Sequence, residues 1–522
     1  MPKVTVNDTE IEVPAGINMI EAAALGGIKI PHYCYHPHLS VAGNCRMCLV
    51  DVVAGGRGPD IACNMAARDG LHIRTDTASV KKMEKSVMEF LLANHPLDCP
   101  ICDQSGECRL QDYYMDYGAY SSRLNDEKVG KRKRQDIGDL LVLDAERCVQ
   151  CSRCVRFGDE VTETGELQLM NRGNHTEIGV FPGTRITHAY QGNLADICPV
   201  GALTNKDFRF ERRVWYLKET GSVCSGCATG CNIEVCHQEG EVFRYLPRRN
   251  DAVNRSWMCD PGRMSYKEIA DGGRLLSARK AGRSVSLDVT LTELAARLKS
   301  ATRVGVVLGA RATNEANWAL LRLVRTHLKN AALFHVAGND ADRFTYQDKM
   351  LVDGDKNPNS AGVRLLAAHD GAVGDAAALT AALADLQVVL VLEDDVVHRL
   401  DRAIPGLVYL GTAQNRSAKA AEWVLPVAHA VEQDGSYVNR SGRVQRLRRA
   451  VNPPGDALPA YTLLDRLGAA LGAAPGTAVA SAAFNSMARS VTRLRGMEFK
   501  ALGVSGVPLA PEAEAPATEV RV

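Results

Sequence analysis

Sixteen cysteines lie between Cys34 and Cys259, and the last 263 of the 522 residues contain none. They fall into groups with short internal spacings, the arrangement expected of thiolates that hold metal in a reducing compartment. The first group is Cys34, Cys45, Cys48 and Cys63, spaced C-x10-C-x2-C-x14-C. Four thiolates from a loop plus one distant residue suit a [2Fe-2S] rhomb. The plant-type loop is shorter than the ten residues separating the first two ligands here. Gly43 can relieve the tight part of that loop, and Asn44 and Arg46 can place donors near the sulfurs. On spacing alone, structural zinc is the alternative.

The second group is His95, Cys99, Cys102 and Cys108, in NHPLDCPICDQSGECRLQD. Three cysteines need a fourth ligand, and His95 lies one helical turn before Cys99. An imidazole in place of a thiolate makes a [4Fe-4S] cluster less negative and raises its potential. A zinc site on the same four side chains and a three-iron cluster are the alternatives. The third group, Cys148, Cys151, Cys154 and Cys198, sets three ligands as C-x2-C-x2-C and follows the remote fourth with Pro199. That is the bacterial [4Fe-4S] ferredoxin signature, whereas zinc sites usually come as two separated pairs. The fourth group, Cys224, Cys227, Cys231 and Cys259, also suits [4Fe-4S], again with zinc as the alternative. Cys236 is left over and is expected to be a buried, unliganded thiol. His32, His36 and His38 receive no role.

The elements that must position these groups can be read in part. Val4–Val6 and Ile11–Val13 flank a turn at Asn7-Asp8, a hairpin pattern. Residues 18–25 follow as a short helix with Asn18 as N-cap. Hairpin, helix and cysteine-bearing loop give the order of a ferredoxin-like β-grasp domain. Residues 77–94 have the period of an amphipathic helix, with Val80, Met83, Val87, Phe90 and Leu91 on its core face. The charged stretch 126–136 (DEKVGKRKRQD) is expected to be a solvated linker rather than a docking patch. From about residue 273, strands at 303–309, 388–392 and 407–410 and a helix at 314–328 make an α/β pattern. The tail 508–522 has a disordered composition.

These features divide the chain into a [2Fe-2S] β-grasp domain (1–78), a [4Fe-4S] domain with one histidine and three cysteine ligands plus a linker (79–135), and a [4Fe-4S] ferredoxin-like domain (136–215). A fourth cluster domain (216–272), an α/β region (273–507) and the tail (508–522) follow. Sixty-two basic against 61 acidic residues favour neither nucleic acid nor a basic membrane surface. No apolar run reaches the roughly 18 residues of a spanning helix, and the N-terminus lacks a signal pattern. A soluble, cytosolic chain is expected. No glycine-rich nucleotide motif occurs, so electrons would have to arrive from another subunit.

The run NHPLDCPICDQSGECRLQDYYMDYG, with CRMCLV, ERCVQCSRCVRFGDEV and ADICPVGALT in the same order, resembles the large iron–sulfur subunit family of bacterial NADH-quinone oxidoreductase (respiratory complex I). The resemblance covers residues 1–272. It implies a [2Fe-2S] cluster on the first group and [4Fe-4S] clusters on the second and third. The fourth cluster occurs in only part of the family, and with all four of its cysteines present one is expected at Cys224–Cys259, with a structural rather than a conducting role. It also implies outer-sphere electron relay from a flavin/NADH-binding subunit toward a ferredoxin-like subunit, other peripheral-arm partners, and a peripheral place on the cytoplasmic face of the bacterial inner membrane. Beyond residue 216, WMCDPGR and EQDGSYVNRSGRVQR are similar to molybdopterin oxidoreductases. The short region after Cys259, without a cysteine for the metal, argues for a truncated scaffold with no molybdopterin, and the resemblance places the flavin in a neighbouring subunit and none in this chain. The rival readings are the same module in an NAD-linked hydrogenase or formate dehydrogenase, a zinc-stabilised scaffold, and an autonomous molybdopterin reductase.

Overall fold

The computed structural model describes residues 1–270, 272–341, 343–474, 476 and 478–511. The chain divides into two compact units, Met1–Leu217 and the residues from Lys218 onward.

The first unit opens with the hairpin β1 (Lys3–Val6) and β2 (Thr9–Glu12), in register Lys3↔Glu12 to Val6↔Thr9. Asn7 makes the turn in the left-handed region at φ 56°. Val4, Val6 and Ile11 are buried while Thr9, Glu10 and Glu12 face outward, as two-residue periodicity requires. Helix α1 (Met19–Leu25) is capped by Asn18, whose side chain accepts from the backbone N–H groups of Ile20 and Glu21. Strands β3 (Leu49–Ala54), β4 (Pro59–Ile61) and β5 (His72–Arg74) complete a mixed sheet ordered β2-β1-β5-β3-β4. Met19, Ile20, Ala22 and Ala23 of α1 pack on its core face. This is the β-grasp arrangement.

Helix α2 (Ala78–Asn94) starts at a Thr77 cap that accepts from Val80 N–H at 3.1 Å. Its buried line is Val80, Glu84 and Met88. Val87 and Leu91 are half-buried, but Phe90 is 80% exposed and does not belong to the core face. The apolar stripe expected from sequence is therefore rotated, with a carboxylate in the middle of the buried line.

Residues 126–136 are largely exposed, as expected of a solvated stretch, but four of their cations are tied down. Lys128 Nζ donates to the carbonyls of Leu92 and Ala93 at 2.6 and 3.0 Å, serving the C-terminal end of α2. Lys131 Nζ donates to the Thr176 carbonyl at 2.7 Å, and Arg132 pairs with Glu177 at 2.7 Å. Lys133 reaches Glu146 and Asp144 at 2.5 and 3.3 Å. These four cations of the basic run anchor it as a strap on the first unit. Three further helices serve the sites below: α3 (Arg109–Tyr117), α4 (Arg153–Glu160) and α5 (Gly192–Ile197).

The second unit begins with a three-stranded antiparallel sheet of Lys218–Val223, Asn232–Gln238 and Glu241–Pro247. Its centre is an eight-stranded sheet. From one side the order runs Trp423–Pro426, Leu407–Gly411, Val388–Leu392, Val304–Val307, Ala331–Phe334 and Val373–Gly374, all parallel. A short hairpin (Arg279–Lys280 and Arg283–Ser284) adds an antiparallel edge. Strand order reverses between Val304–Val307 and Val388–Leu392, so the sheet is doubly wound. Along Val388–Leu392, Val389 and Val391 enter one core, with Leu407 and Tyr409. Leu390 and Leu392 enter the other, under the helices Leu287–Ser300, Asn314–His327, Ala460–Leu471 and Ala480–Ser490. Burial on both faces explains the unbroken apolar run VVLVL.

The tail expectation is corrected at its start. Val507–Pro508 pairs with Arg443–Val444 as the third strand of the Gly435–Val438/Arg443–Leu447 hairpin. Residues 512–522 lie outside the described residues.

Candidate functional site

Cys34, Cys45 and Cys48 sit on the long loop between α1 and β3, and Cys63 on a single turn after β4. Cys34, Cys48 and Cys63 are each 1% exposed. Their thiols share hydrogen bonds: Cys34 with Cys45 and Cys63, and Cys63 with Cys48. Bonds from Cys45 and Cys63 hold Cys34 far below the ordinary thiol range. Cys45 and Cys63, on the donating side, are pushed up. Gly43 (φ 63°) and Arg46 (φ 55°) turn the loop in the left-handed region. The Asn44 side chain does not serve a sulfur. It donates to the Gln150 carbonyl at 3.1 Å, while the Asn44 backbone N–H bonds Cys34. Four sulfurs at hydrogen-bond range fit the compact [2Fe-2S] donor set.

His95 follows the last residue of α2, Cys99 lies in the turn Cys99–Ile101, and Cys108 precedes α3. With Cys102 they line one cavity of about 750 Å³. Cys102 and Cys108 are buried and Cys99 is exposed. Burial pushes His95 down to about 4, so the imidazole is neutral at physiological pH. Its Nδ1 is buried without a hydrogen-bond partner, as suits a nitrogen reserved for a metal. A Cβ on Gly201 would collide with Cys102 Sγ, so the absent side chain makes room for that sulfur. Buried Arg147 pairs with Asp98 at 2.6 Å and feels the charge of Cys102.

Cys148, Cys151, Cys154 and Cys198 line a small cavity with Pro199 and Val200. The CVQCSRC run winds around it because Gln150 (φ 53°) and Ser152 (φ 59°) adopt the left-handed region. The Gln150 N–H then points at Cys148 Sγ, 3.3 Å away. Backbone N–H groups of Val200, Leu203 and Ala202 serve Cys198. Burial, then repulsion from Cys151, pushes Cys148 up to about 12 and Cys198 up to about 11. Thiols packed this way ionise when a cation or cluster supplies compensating charge, while the N–H groups favour the ligated, charged form.

In the second unit, Cys224, Cys227, Cys231 and Cys259 line a small cavity with Gly226, Gly262 and Phe344. Gly226 N–H reaches Cys224 Sγ at 3.4 Å and Gly262 N–H reaches Cys259 Sγ at 3.3 Å. A Cβ on Gly262 would meet the sulfurs of Cys259 and Cys224 at 3.1 and 3.3 Å. Burial, then Cys227, pushes Cys224 up to about 12. Cys236, buried in the middle strand Asn232–Gln238, is not among the residues lining this cavity. Among the described residues no three His, Cys, Asp or Glu side chains close around a single metal ion.

All four sequence-defined groups are thus gathered, the first by mutual hydrogen bonds and the other three each around a cavity. Cysteines of the first three border one apolar core made by Tyr33, Met47, Met88, Leu110, Tyr113 and Val200. His32, given no role from sequence, bonds the Ile30 carbonyl and Arg109 at 2.9 and 3.2 Å. Sequence reading missed Arg147, Arg153, Arg156 and Gly201. The signal available for Arg153 was a cation embedded in a run of thiolates.

The second unit also holds a buried polar cluster past the carboxyl ends of the parallel strands, where doubly wound sheets bind ligands. Arg311 and Arg399 pair with Asp340 at 3.1 and 2.9 Å, and Arg399 pairs with Asp394 at 2.9 Å. Burial pushes Asp394 up to about 8 against the pull of Arg399.

Fold and site define an iron–sulfur protein with ferredoxin-like domains ahead of a molybdopterin-oxidoreductase region, and family models match in that order. They are a 2Fe-2S iron-sulfur cluster binding domain (2–78), an NADH-ubiquinone oxidoreductase-G iron-sulfur binding region (85–123) and the ferredoxin-like domain of NADH-quinone oxidoreductase subunit 3 (138–204). An NDSU1/NuoG-like 4Fe-4S domain (217–267) and molybdopterin oxidoreductase (292–470) follow. Over three-fifths of its length, the chain is homologous to the G subunit of NADH-quinone oxidoreductase. It is 39% identical to that subunit from Rickettsia bellii (strain RML369-C) over 332 residues, 61% of this chain and 47% of that one. It is 44% identical to the NADH dehydrogenase [ubiquinone] iron-sulfur protein 1, mitochondrial, of Solanum tuberosum over 264 residues, 51% of this chain and 36% of that one. The chain spans about half the length, or less, of these curated relatives. A solved NAD+-reducing [NiFe]-hydrogenase chain aligns over 41% of this chain and 91% of its own, at 28% identity and a TM-score of 0.37.

Proposed function

We propose that this chain is the iron–sulfur electron-carrying subunit of an NADH-quinone oxidoreductase, relaying electrons from an NADH/flavin subunit toward quinone. The observation that carries the reading is the common apolar core bordered by cysteines of three separate groups. A scaffold needs its metal sites only where they staple the chain, whereas a relay needs them near one another and shielded from water.

In this reading a [2Fe-2S] cluster is held by Cys34, Cys45, Cys48 and Cys63. [4Fe-4S] clusters are held by His95, Cys99, Cys102 and Cys108, by Cys148, Cys151, Cys154 and Cys198, and by Cys224, Cys227, Cys231 and Cys259. When bound, such clusters supply one-electron oxidation and reduction without breaking substrate bonds. The chain's own residues do the rest. The common core excludes water, backbone N–H groups donate to sulfurs such as Cys148 and Cys259, and glycines at 201 and 262 leave space beside Cys102 and Cys259. Partners are the flavin/NADH-binding subunit, a ferredoxin-like subunit and other peripheral-arm subunits. Among the described residues no helix is long and apolar enough to cross a membrane. A peripheral position on the cytoplasmic face of a bacterial inner membrane follows from the assembly.

Two observations support a second unit that works without molybdopterin. The region after Cys259 offers no cysteine to a molybdenum ion, and past the carboxyl ends of the parallel strands Arg311, Asp340, Arg399 and Asp394 pair with one another. Iron, zinc and molybdenum counted per chain on protein purified without oxygen test the reading. About 14 iron, little zinc and no molybdenum are expected. About 10 iron would remove one [4Fe-4S] cluster; four zinc with negligible iron would leave only a scaffold.

A further inference from the structure

Arg153 lies inside the third cysteine run, between Cys151 and Cys154, as the first residue of α4. It is 3% exposed. Its guanidinium joins two cysteine groups through their backbones. Nη1 donates to the Ile197 carbonyl at 3.1 Å, one residue before Cys198, and Nη2 donates to the Tyr35 carbonyl, one residue after Cys34. Nε is buried without a partner. Among the described residues no carboxylate pairs with Arg153. Its strongest charge interactions are with Arg109, of like sign, and with Cys151, Cys198 and Cys34. A buried cation with no carboxylate is costly unless some other anion balances it. The anionic groups at hand are the ligand sulfurs of two different clusters.

We propose that Arg153 is a shared counter-cation for the Cys34 and Cys148 groups, holding both reduction potentials up together. The inference rests on the electron-carrier reading. A fixed positive charge favours the more negative, reduced state of any nearby cluster, and low dielectric around the side chain keeps the effect strong. Because one guanidinium bonds a carbonyl next to a ligand of each group, both potentials depend on the same residue, which makes it a positioning and tuning group rather than a ligand.

The test uses the full chain, purified without oxygen, as native protein, Arg153→Gln and Arg153→Lys. Each is titrated with reductant while electron paramagnetic resonance follows the [2Fe-2S] and [4Fe-4S] signals separately. With Arg153→Gln, the midpoints of the Cys34 and Cys148 clusters should both move to more negative values, and the Cys224 cluster should not move. Arg153→Lys, which keeps the charge, should leave both near native. Two loaded clusters with unchanged midpoints in Arg153→Gln, or a shift in only one, overturns the proposal. If Arg153→Gln loses iron from both groups, retention by Arg153→Lys supports it, and equal loss by Arg153→Lys assigns a hydrogen-bonding role and overturns it. Native protein without iron–sulfur signals would instead sink the electron-carrier reading itself.

Discussion

Arg156 Nη2 donates to the carbonyl of Cys34 at 2.6 Å, although 122 residues separate them. The same nitrogen reaches the Cys151 carbonyl at 3.4 Å, and Nη1 bonds the Ser40 carbonyl. One guanidinium thus sets the β-grasp loop against the ferredoxin-like loop, and Asn44 repeats the link through the Gln150 carbonyl. The spacing of the first and third cysteine groups is fixed by side chains that are not ligands.

Arg156→Ala removes that tie. Hydrogen bonds from a charged donor contribute about 1.5–3 kcal/mol each when partly buried, so a loss of about 2 kcal/mol in stability is expected. Iron retention should fall at the Cys34 and Cys148 groups and stay native at Cys224–Cys259. Thermal unfolding with cluster-specific spectroscopy checks this, and an unchanged midpoint with full iron would mean that the Asn44 link suffices.

His95→Cys exchanges a neutral imidazole for a thiolate and adds about one negative charge to the site. The midpoint potential of that cluster should fall in a redox titration. An unchanged potential with the cluster present would count against ligation by His95, and its orphaned Nδ1 would then need another explanation.

Glu84 is buried in the inward line of α2, and desolvation raises it to about 7 from the ordinary 4.5, against a weak pull from Lys81. Its folded value exceeds its unfolded one, so the carboxylate lowers stability as pH rises from 4.5 toward 7. The loss is complete above that window and absent below it. Glu84→Gln should therefore unfold at a higher temperature than native protein near pH 8 and at the same temperature near pH 4.5. A difference that does not vary with pH would show that packing, not charge, governs the position.

Much of this was legible from residue order. Each cysteine group was recognisable because two or three of its ligands are close in sequence, and Asn18 announced α1 because its side chain bonds locally. What stayed hidden depends on distant partners. Nothing in DEKVGKRKRQD reveals that Lys128 will meet the last carbonyls of α2, or Lys131 the Thr176 carbonyl. Phe90 was misplaced, and buried Glu84 missed, because an amphipathic period fixes a stripe to within one neighbouring row, and tertiary contacts choose the row. Gly201 shows its purpose only when Cys102 Sγ is seen against it.

The fourth group poses a different question, because every residue lining its cavity belongs to the second unit. Its sulfurs lie at the junction of the strand Lys218–Val223, the loop to Asn232 and the helix Asp260–Met264, with Arg343 bonding the carbonyls of Ser225 and Gly226. The common apolar core includes cysteines of the other three groups and none of this one. We propose that a cluster here staples its own unit and has a structural rather than a conducting role. Cys227→Ser should accordingly lower the thermal stability of the second unit and cut iron by about four per chain. NADH-to-quinone turnover of the assembled complex should remain largely intact. Near-total loss of turnover in a complex that assembles normally would place the fourth cluster on the electron path and refute the structural role.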